Sequence, residues 1–430
     1  MRRRQFFSGM LAGISLLRSS HLVAEIPTFS GDPFSLGIAS GDMTHNSVVL
    51  WTRIVPEPFH PDGGLGPYAV RVSWEVATDP SMRHLVRRGE TLAMPEFGHS
   101  VHVDLQGLHP GQDYWYRFQT GRHRTEIGHT QTLVDGPDLS ARFVTASCQN
   151  YTHGSFVAYE HMVSDQPDFV IHLGDYIYDT SFGETFRRHD SEHPPKNLID
   201  YRCRHALYKT DRHLQKAHAA LPFYCVIDNH DAIEDNDPAK YEQRAASYQA
   251  WYEHMPVRGF NPIKTNVFEM NRLLRLGDLM QISLLDTRQF RDKRELCAED
   301  LEQAVGFGNY RERCAALLHS DRTVLGTEQE RWLYQSLENN TSVWNVIASS
   351  GPVMPFRLDM GDEEYGYIGA WDAYPANRQR LSSVLAGTSV GQPIILSGDM
   401  HSFWAMDGLS LIHISEPTRR YAISYAVLCV

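Results

Sequence analysis

No stretch of the sequence approaches the roughly 18 consecutive apolar residues that a membrane-crossing helix needs, so no transmembrane span is expected. Positive charge is also short. Lys and Arg number 40 against 52 Asp and Glu, a formal net charge of −12. That balance gives no overall electrostatic drive toward nucleic acid or anionic lipid, and no stable nucleic-acid complex is expected. Internal repeats and low-complexity tracts are missing. Charged residues make up only 21%, beside 42% hydrophobic residues, which excludes a disordered chain. Cysteine is sparse, at six. What is plentiful is histidine, at 22. Surface residues account for such a number as readily as ligands do, so it only favours metal chemistry. A length of 430 residues suggests two or three domains.

Both ends read as foreign to the fold. Met1 to Phe7 is basic, an apolar stretch runs from Met10 to Leu17, and Leu22-Val23-Ala24 closes the region. This is the order of an export signal, with cleavage expected after Ala24. Arg3-Arg4-Gln5-Phe6-Phe7 resembles the twin-arginine pattern, which implies passage through the twin-arginine export machinery and work in the periplasm or outside the cell. Leu411 to Arg419 resembles translated sequencing-adapter read-through, so residues 410–430 are expected to be a non-native tail. In an exported protein an even cysteine count invites disulfides. Cys297 and Cys314 flank a polar, Gly-containing loop and are the pair expected; Cys429 lies in the tail, and Cys148 is kept for chemistry.

Residues 35–133 read as all-β. Val48–Thr52 and Val70–Val76 alternate with a period of two. Leu108-His-Pro-Gly-Gln-Asp-Tyr114 is a turn feeding an aromatic strand, similar to the corner of fibronectin-type sandwiches. From Ala141 the rhythm becomes α/β. Short apolar runs end in polar clusters: at Cys148, Gly174-Asp175, Asp228-Asn229-His230-Asp231, Asp286, Ser349-Ser350 and Gly398-Asp399-Met400-His401. Helical stretches lie between them, near Ser155–Ser164 and from about Leu198 to His254. In α/β sheets, sites gather beyond the carboxyl ends of strands.

Cys148, Asp175, Tyr178, Asn229, His230, Asp399 and His401 all fall at or just past such ends. Singly, each has an ordinary explanation as a turn residue, a buried thiol or a core histidine. Together they offer thiolate, carboxylate, phenolate, amide and imidazole donors.

The arrangement resembles the calcineurin-like metallophosphoesterases and, within them, the PhoD-like alkaline phosphatase/phosphodiesterase family. Gly174-Asp175-Tyr176-Ile177-Tyr178 matches the Gly-Asp-x-x-Tyr motif shared with purple acid phosphatases. Asn229-His230-Asp231 matches their Asn-His-Asp/Glu motif, Gly398-Asp399-Met400-His401 the PhoD form of the last motif, and Ala146-Ser147-Cys148-Gln149-Asn150 the PhoD opening motif. Further echoes are Tyr201–Lys209, Leu285–Gln289 and Trp371–Pro375. Beside the signal peptide at 1–24, the resemblance implies a PhoD-type fibronectin/Ig-like β-sandwich at 32–137 and an α/β metallophosphoesterase domain, a β-sheet sandwich flanked by helices, at 141–409, expected to be C-terminally truncated, to lack the family's closing strands, and so to fold poorly or expose an unpaired sheet edge.

A secreted, metal-dependent hydrolase of phosphomonoesters and phosphodiesters follows as the expected function. By resemblance, Cys148, Asp175, Tyr178 and His401 hold Fe³⁺, a metal suited to thiolate and phenolate donors. Asp175, Asn229 and Asp399 hold the second metal, Ca²⁺ in this family and Zn²⁺ or Mn²⁺ in related ones. The expected mechanism is in-line attack of a metal-bound hydroxide on the phosphate ester. His230 contacts the phosphate or protonates the leaving alkoxide, and Asp231 orients it. The PhoD pattern usually has Asp-Asp-His-Glu where this chain has Asp228-Asn229-His230-Asp231, which removes a negative charge from the second site. Arg288 can bind phosphate, but a structural ion pair is the commoner use of such a residue, and it is left out of the site. Asp235 and Asn236 are open between outer ligands and a loop cap. The rival reading is a catalytically impaired, truncated homologue acting as an exported binding protein; retention of ligand-capable residues at every matched position argues against it.

Overall fold

The computed structural model describes residues 28–136, 140–183, 185–232, 241–259, 270–293, 310–312, 315–360, 363–387, 390–406, 413–416 and 424–429. The first part forms eight strands: β1 (Ile38–Gly41), β2 (Ser47–Arg53), β3 (Val70–Ala77), β4 (Leu85–Ala93), β5 (Ser100–Gln106), β6 (Asp113–Thr120), β7 (His123–Arg124) and β8 (Gly128–Gln131). β4, β3, β6 and β7 make one antiparallel sheet, with β8 also paired to β6. β6 shows why: Tyr114, Tyr116 and Phe118 turn inward and are buried, while the residues between them are partly exposed. At its start the Tyr114 hydroxyl accepts the His109 backbone N–H at 3.0 Å, the tyrosine corner expected from the sequence.

From Ala141 the chain continues through β9 (Arg142–Ser147), α1 (Ala158–Ser164), β10 (Phe169–His172), α2 (Leu198–Lys209), α3 (Arg212–Ala220), β11 (Pro222–Cys225) and α4 (Tyr241–His254). Next come β12 (Arg272–Leu276), β13 (Met280–Leu284), β14 (Tyr310–Glu312), α5 (Gly326–Glu338), β15 (Trp344–Ser349), β16 (Arg357–Met360) and β17 (Glu363–Tyr367). The last elements are α6 (Pro375–Leu385), β18 (Gln392–Ser397), β19 (Phe403–Met406), β20 (His413–Glu416) and β21 (Ser424–Cys429). Side-chain caps start two of the helices: Asn197 accepts from the Asp200 N–H, and Asp211 from those of His213 and Leu214.

Two sheets face one another. One runs β12-β13-β15-β18, with β13, β15 and β18 parallel. The other, of seven strands, runs β21-β9-β10-β11-β1-β2-β5. Phe143, Phe169 and Ile171 from the larger sheet meet Leu274, Ile282 and Val346 from the smaller one in a shared core. The alternate residues Val144, Val170 and Phe223 point the other way, onto helix residues such as Tyr159, Tyr208 and Trp251. On the far side Leu333, Leu337 and Leu381 of α5 and α6 cover Ile347. This is the helix-flanked two-sheet fold expected from the sequence, preceded by the β-sandwich.

The sequence placed a boundary near residue 140, yet the seven-stranded sheet crosses it. β1 pairs in parallel with β11, Ser40 against Pro222 and Gly41 against Phe223. Within residues 410–430, the expected tail, two segments pair as strands. β20 pairs with β19, and β21 lies antiparallel along β9, with Val427 opposite Val144. The outer flank of β9 offers unpaired backbone groups, and an extended segment satisfies them. The export segment 1–24, the Cys297–Cys314 pair, Asp235 and Asn236 lie outside the described residues. Cys148, Cys203 and Cys225 are free thiols.

Candidate metal centre

The polar clusters lie beyond the carboxyl ends of β9, β10, β11, β13 and β18, where an open α/β sheet leaves room for a site. The turns there are sharp. Cys148, Asp175, Asp399 and His401 have φ of +57°, +53°, +70° and +51°, left-handed values that cost a non-glycine residue roughly 1–3 kcal/mol. Tight loop packing sustains them. Backbone N–H groups of Cys148 and Gln149 donate to the carbonyls of Gly174 and Asp175, each at 3.1 Å. Gly174 has φ +96°, and a Cβ there would sit 2.4 Å from the Cβ of Asp228. A Cβ on Gly398 would stand 2.9 Å from that of Ser147. Both motif glycines therefore let one loop press against the next.

Cys148 Sγ, an Asp175 carboxylate oxygen and a His401 ring nitrogen all lie within 4.8 Å of one another. The Tyr178 hydroxyl joins them, donating to Asp175 Oδ2 at 3.1 Å and lying 2.8 Å from His401 Nε2. The Asp399 N–H donates to Cys148 Sγ at 3.3 Å. Burial, then the Asp175 charge, pushes the Cys148 thiol and the Tyr178 phenol well above their usual ranges. Burial lowers the His401 pKa, opposed by Asp175 and Asp399. A buried set of thiol, phenol, carboxylate and imidazole fits a cation, since its charge is what stabilises the deprotonated donors.

The residues assigned to a second metal converge differently. Asn229 Oδ1 accepts from Arg288 at 3.2 Å, and Asp399 Oδ2 accepts from the Tyr367 hydroxyl at 2.8 Å. Asp399 Oδ1 stands 3.7 Å from the same guanidinium. Arg288, set aside on sequence, thus touches the site through both residues. It also forms a buried ion pair with Asp228. A rigid turn delivers it: Asp286 accepts the N–H groups of Arg288 at 2.9 Å and Gln289 at 3.0 Å. Burial opposes the Arg288 charge, but Asp228, Asp399 and Asp175 outweigh it and raise its pKa. The oxygens of Asp175, Asn229 and Asp399 suit a hard cation.

His230 is held three ways. Its backbone N–H donates to Asp175 Oδ1 at 3.2 Å, its ring stacks 4.3 Å from that of Tyr178, and Nδ1 lies 2.6 Å from Asp179 Oδ1. Burial works against its charge, yet Asp175 and Asp179 lift its pKa to about 9. The sequence assigns the orienting of His230 to Asp231; the carboxylate that meets its ring is that of Asp179. Asp231 accepts the N–H groups of Ile177 at 3.1 Å and Asp228 at 2.9 Å, tying two site loops together. Burial, with Asp175 adding, pushes its carboxyl up to about 7. Asp179 directly follows the Gly-Asp-x-x-Tyr motif, and that adjacency was its only signal in the sequence.

Two facing sheets with a thiol, carboxylates, a phenol and imidazoles gathered at their strand ends define a metallophosphoesterase-type centre. Family comparison makes this specific. Residues 143–422 match the model of the PhoD-like phosphatase, and residues 21–134 that of the PhoD-like phosphatase N-terminal domain. The chain belongs to the PhoD-like phosphatase family. It is 38% identical to alkaline phosphatase D of Bacillus subtilis (strain 168), an alignment covering 94% of this chain and 72% of the relative. A solved structure of PhoD superposes with a TM-score of 0.80 at 37% identity, covering 88% of this chain and 74% of that one.

Proposed function

We infer that this chain is a metal-dependent hydrolase of phosphate esters, of the alkaline phosphatase D type, acting on monoesters and diesters. The observation that carries this reading is the convergence of Cys148, Asp175, Tyr178 and His401 beside the braced His230. Cys148, Asp175, Tyr178 and His401 would hold ferric iron, which thiolate and phenolate donors favour. Asp175, with its second oxygen, would join Asn229 and Asp399 at a second ion, Ca²⁺ or, given the amide of Asn229, Zn²⁺ or Mn²⁺. When bound, these ions supply Lewis acidity toward the phosphoryl oxygens and a deprotonated water at moderate pH.

The chain's own residues do the rest. Asp179 accepts from Nδ1–H of His230 and so fixes the ring, leaving Nε2 directed to the substrate. The Asp179 carboxylate at Nδ1 favours the charged imidazole, which would donate its Nε2 proton to the departing alkoxide. Asp231 keeps the 175–178 and 228–231 loops in register. Export rests on Arg3-Arg4 and the apolar segment before Ala24, which support passage by the twin-arginine route to the periplasm or beyond. We read the mature protein as a sandwich at 32–137 and a hydrolase domain at 141–409 that share one sheet across their boundary.

Hydrolysis of p-nitrophenyl phosphate and of its bis-ester, with and without chelator, tests the function. Turnover of both that chelator abolishes and metal restores is expected. An inert protein after reconstitution with iron and Ca²⁺, Zn²⁺ or Mn²⁺ would overturn it.

A further inference from the structure

The helix segment Tyr201–Lys209, marked in the sequence, supplies no candidate metal ligand, yet two of its side chains grip the chain that carries one. Arg204 and Tyr208 stand four residues apart and so share one face of α2. Both are fully buried. The Tyr208 hydroxyl oxygen accepts two backbone N–H groups, that of Tyr178 at 3.0 Å and that of Tyr151 at 3.1 Å. With its acceptor capacity used, its own O–H is directed to His189 Nε2, 3.2 Å away. Burial, helped by the Arg204 charge, lowers the His189 pKa to about 3, so that ring stays neutral and can accept. Arg204 takes the other side of the same residue. Its Nη1 donates to the carbonyls of Tyr178 at 2.6 Å and Asp179 at 2.7 Å. Its Nε pairs with Asp190, and Nη2 reaches the Ser191 carbonyl at 3.3 Å. One helix face therefore fixes the N–H and C=O of Tyr178 and the C=O of Asp179.

We propose that Arg204 and Tyr208 are positioning residues for the hydrolase reaction, acting through Tyr178 and Asp179 to set the phenol at the metal centre and the orientation of His230. The inference rests on the hydrolase reading above. Tyr178 places its hydroxyl 2.8 Å from His401 Nε2 and its ring 4.3 Å from that of His230, while Asp179 Oδ1 meets His230 Nδ1 at 2.6 Å. The peptide joining Tyr178 to Asp179 bears the carbonyl that Arg204 binds, so a tilt of that peptide moves the phenol and the carboxylate together. A misplacement of about 1 Å in such a site can cost on the order of 100-fold in rate.

Two variants separate positioning from stability. Y208F keeps the ring and removes only the oxygen. In metal-free protein, hydrogen exchange at the Tyr178 and Tyr151 amides should quicken about 2- to 12-fold, the equivalent of one lost hydrogen bond each. R204K keeps the charge but not the fork that spans two carbonyls and Asp190. On metal-loaded protein both variants should lower kcat for phenyl phosphate about 10- to 100-fold with KM nearly unchanged. Y224F, which removes the buried hydrogen bond from Tyr224 to the Met43 carbonyl, should change neither those amides nor kcat. The double variant D179N/R204K should lose little more than D179N alone, since both act through one imidazole. Unchanged exchange or unchanged kcat in Y208F would remove Tyr208 from this role, and losses that multiply in the double variant would remove Arg204. Should R204K unfold, Y208F decides. A wild type that turns over no ester after reconstitution would sink the hydrolase reading, while faster exchange in Y208F would still show Tyr178 held by α2.

Discussion

Asp228 and Arg288 form a fully buried ion pair directly behind Asn229 and His230. Burial alone drives the Asp228 carboxyl toward its neutral form, and Arg288 pulls it back. Removing one member leaves an uncompensated charge in the interior, which costs about 3–5 kcal/mol. R288M is therefore expected to destabilise the protein by that amount in urea unfolding. The double variant D228N/R288M should recover part of the loss. Additive effects of the two substitutions would show that the pair is not coupled.

Asp179 meets the His230 ring from just outside the motif that carries the candidate ligands Asp175 and Tyr178. D179N keeps the shape and removes the carboxylate that holds the ring. Loss of such a supporting partner commonly costs 10–100-fold. The expected result is a fall in kcat of that size with KM nearly unchanged, larger for esters of poor leaving groups, which need the proton more. Equal losses across leaving groups would remove Asp179 from proton transfer.

The donor set makes its own forecast. C148A and H401A should lose bound metal in elemental analysis and lose more activity than the 10–100-fold typical of a ligand's supporting partner. Y178F should abolish the visible band expected from phenolate-to-Fe³⁺ charge transfer. Active protein that is colourless and free of iron would overturn the ferric assignment.

Lys209 gives a pH dependence away from the metal centre. Its ammonium nitrogen lies 4.5 Å from the Trp51 ring centroid and 3.2 Å from His218 Nε2. Burial, only slightly offset by Cys225, lowers its pKa to about 7. In the unfolded chain a lysine titrates near 10.4. Between about pH 7 and pH 10 the unfolded state therefore binds more protons, and stability rises with pH across that window. Relative to K209M, wild type should gain on the order of 3–5 kcal/mol between those limits in urea unfolding. Parallel pH profiles for the two proteins would contradict this.

The candidate metal ligands were legible in the sequence because each closes an apolar run with a short, ordered motif: Cys148 after Arg142–Ala146, Asp175 after Asp168–Leu173, His401 after Pro393–Leu396. Residues that act on those ligands were not. Asp179 lies in irregular chain, where no periodicity marks which side chain turns back toward the site. Arg288 was read as a structural ion pair; it is one, and its partner Asp228 happens to adjoin a ligand. The pairing of β1 with β11 left no trace either, since two four-residue strands far apart in sequence carry no local signal of being neighbours.

That pairing has a consequence for how the chain comes apart. Besides the β1–β11 ladder, Trp51 Nε1 donates to the Glu253 carbonyl at 3.0 Å and the Tyr224 hydroxyl to that of Met43 at 2.7 Å. A polypeptide cut after Gly136 would thus still migrate as one particle, and a gene fragment begun at Ala141 would leave Pro222–Cys225 with a bare flank. The two halves share one sheet and would be expected to unfold together rather than as independent beads.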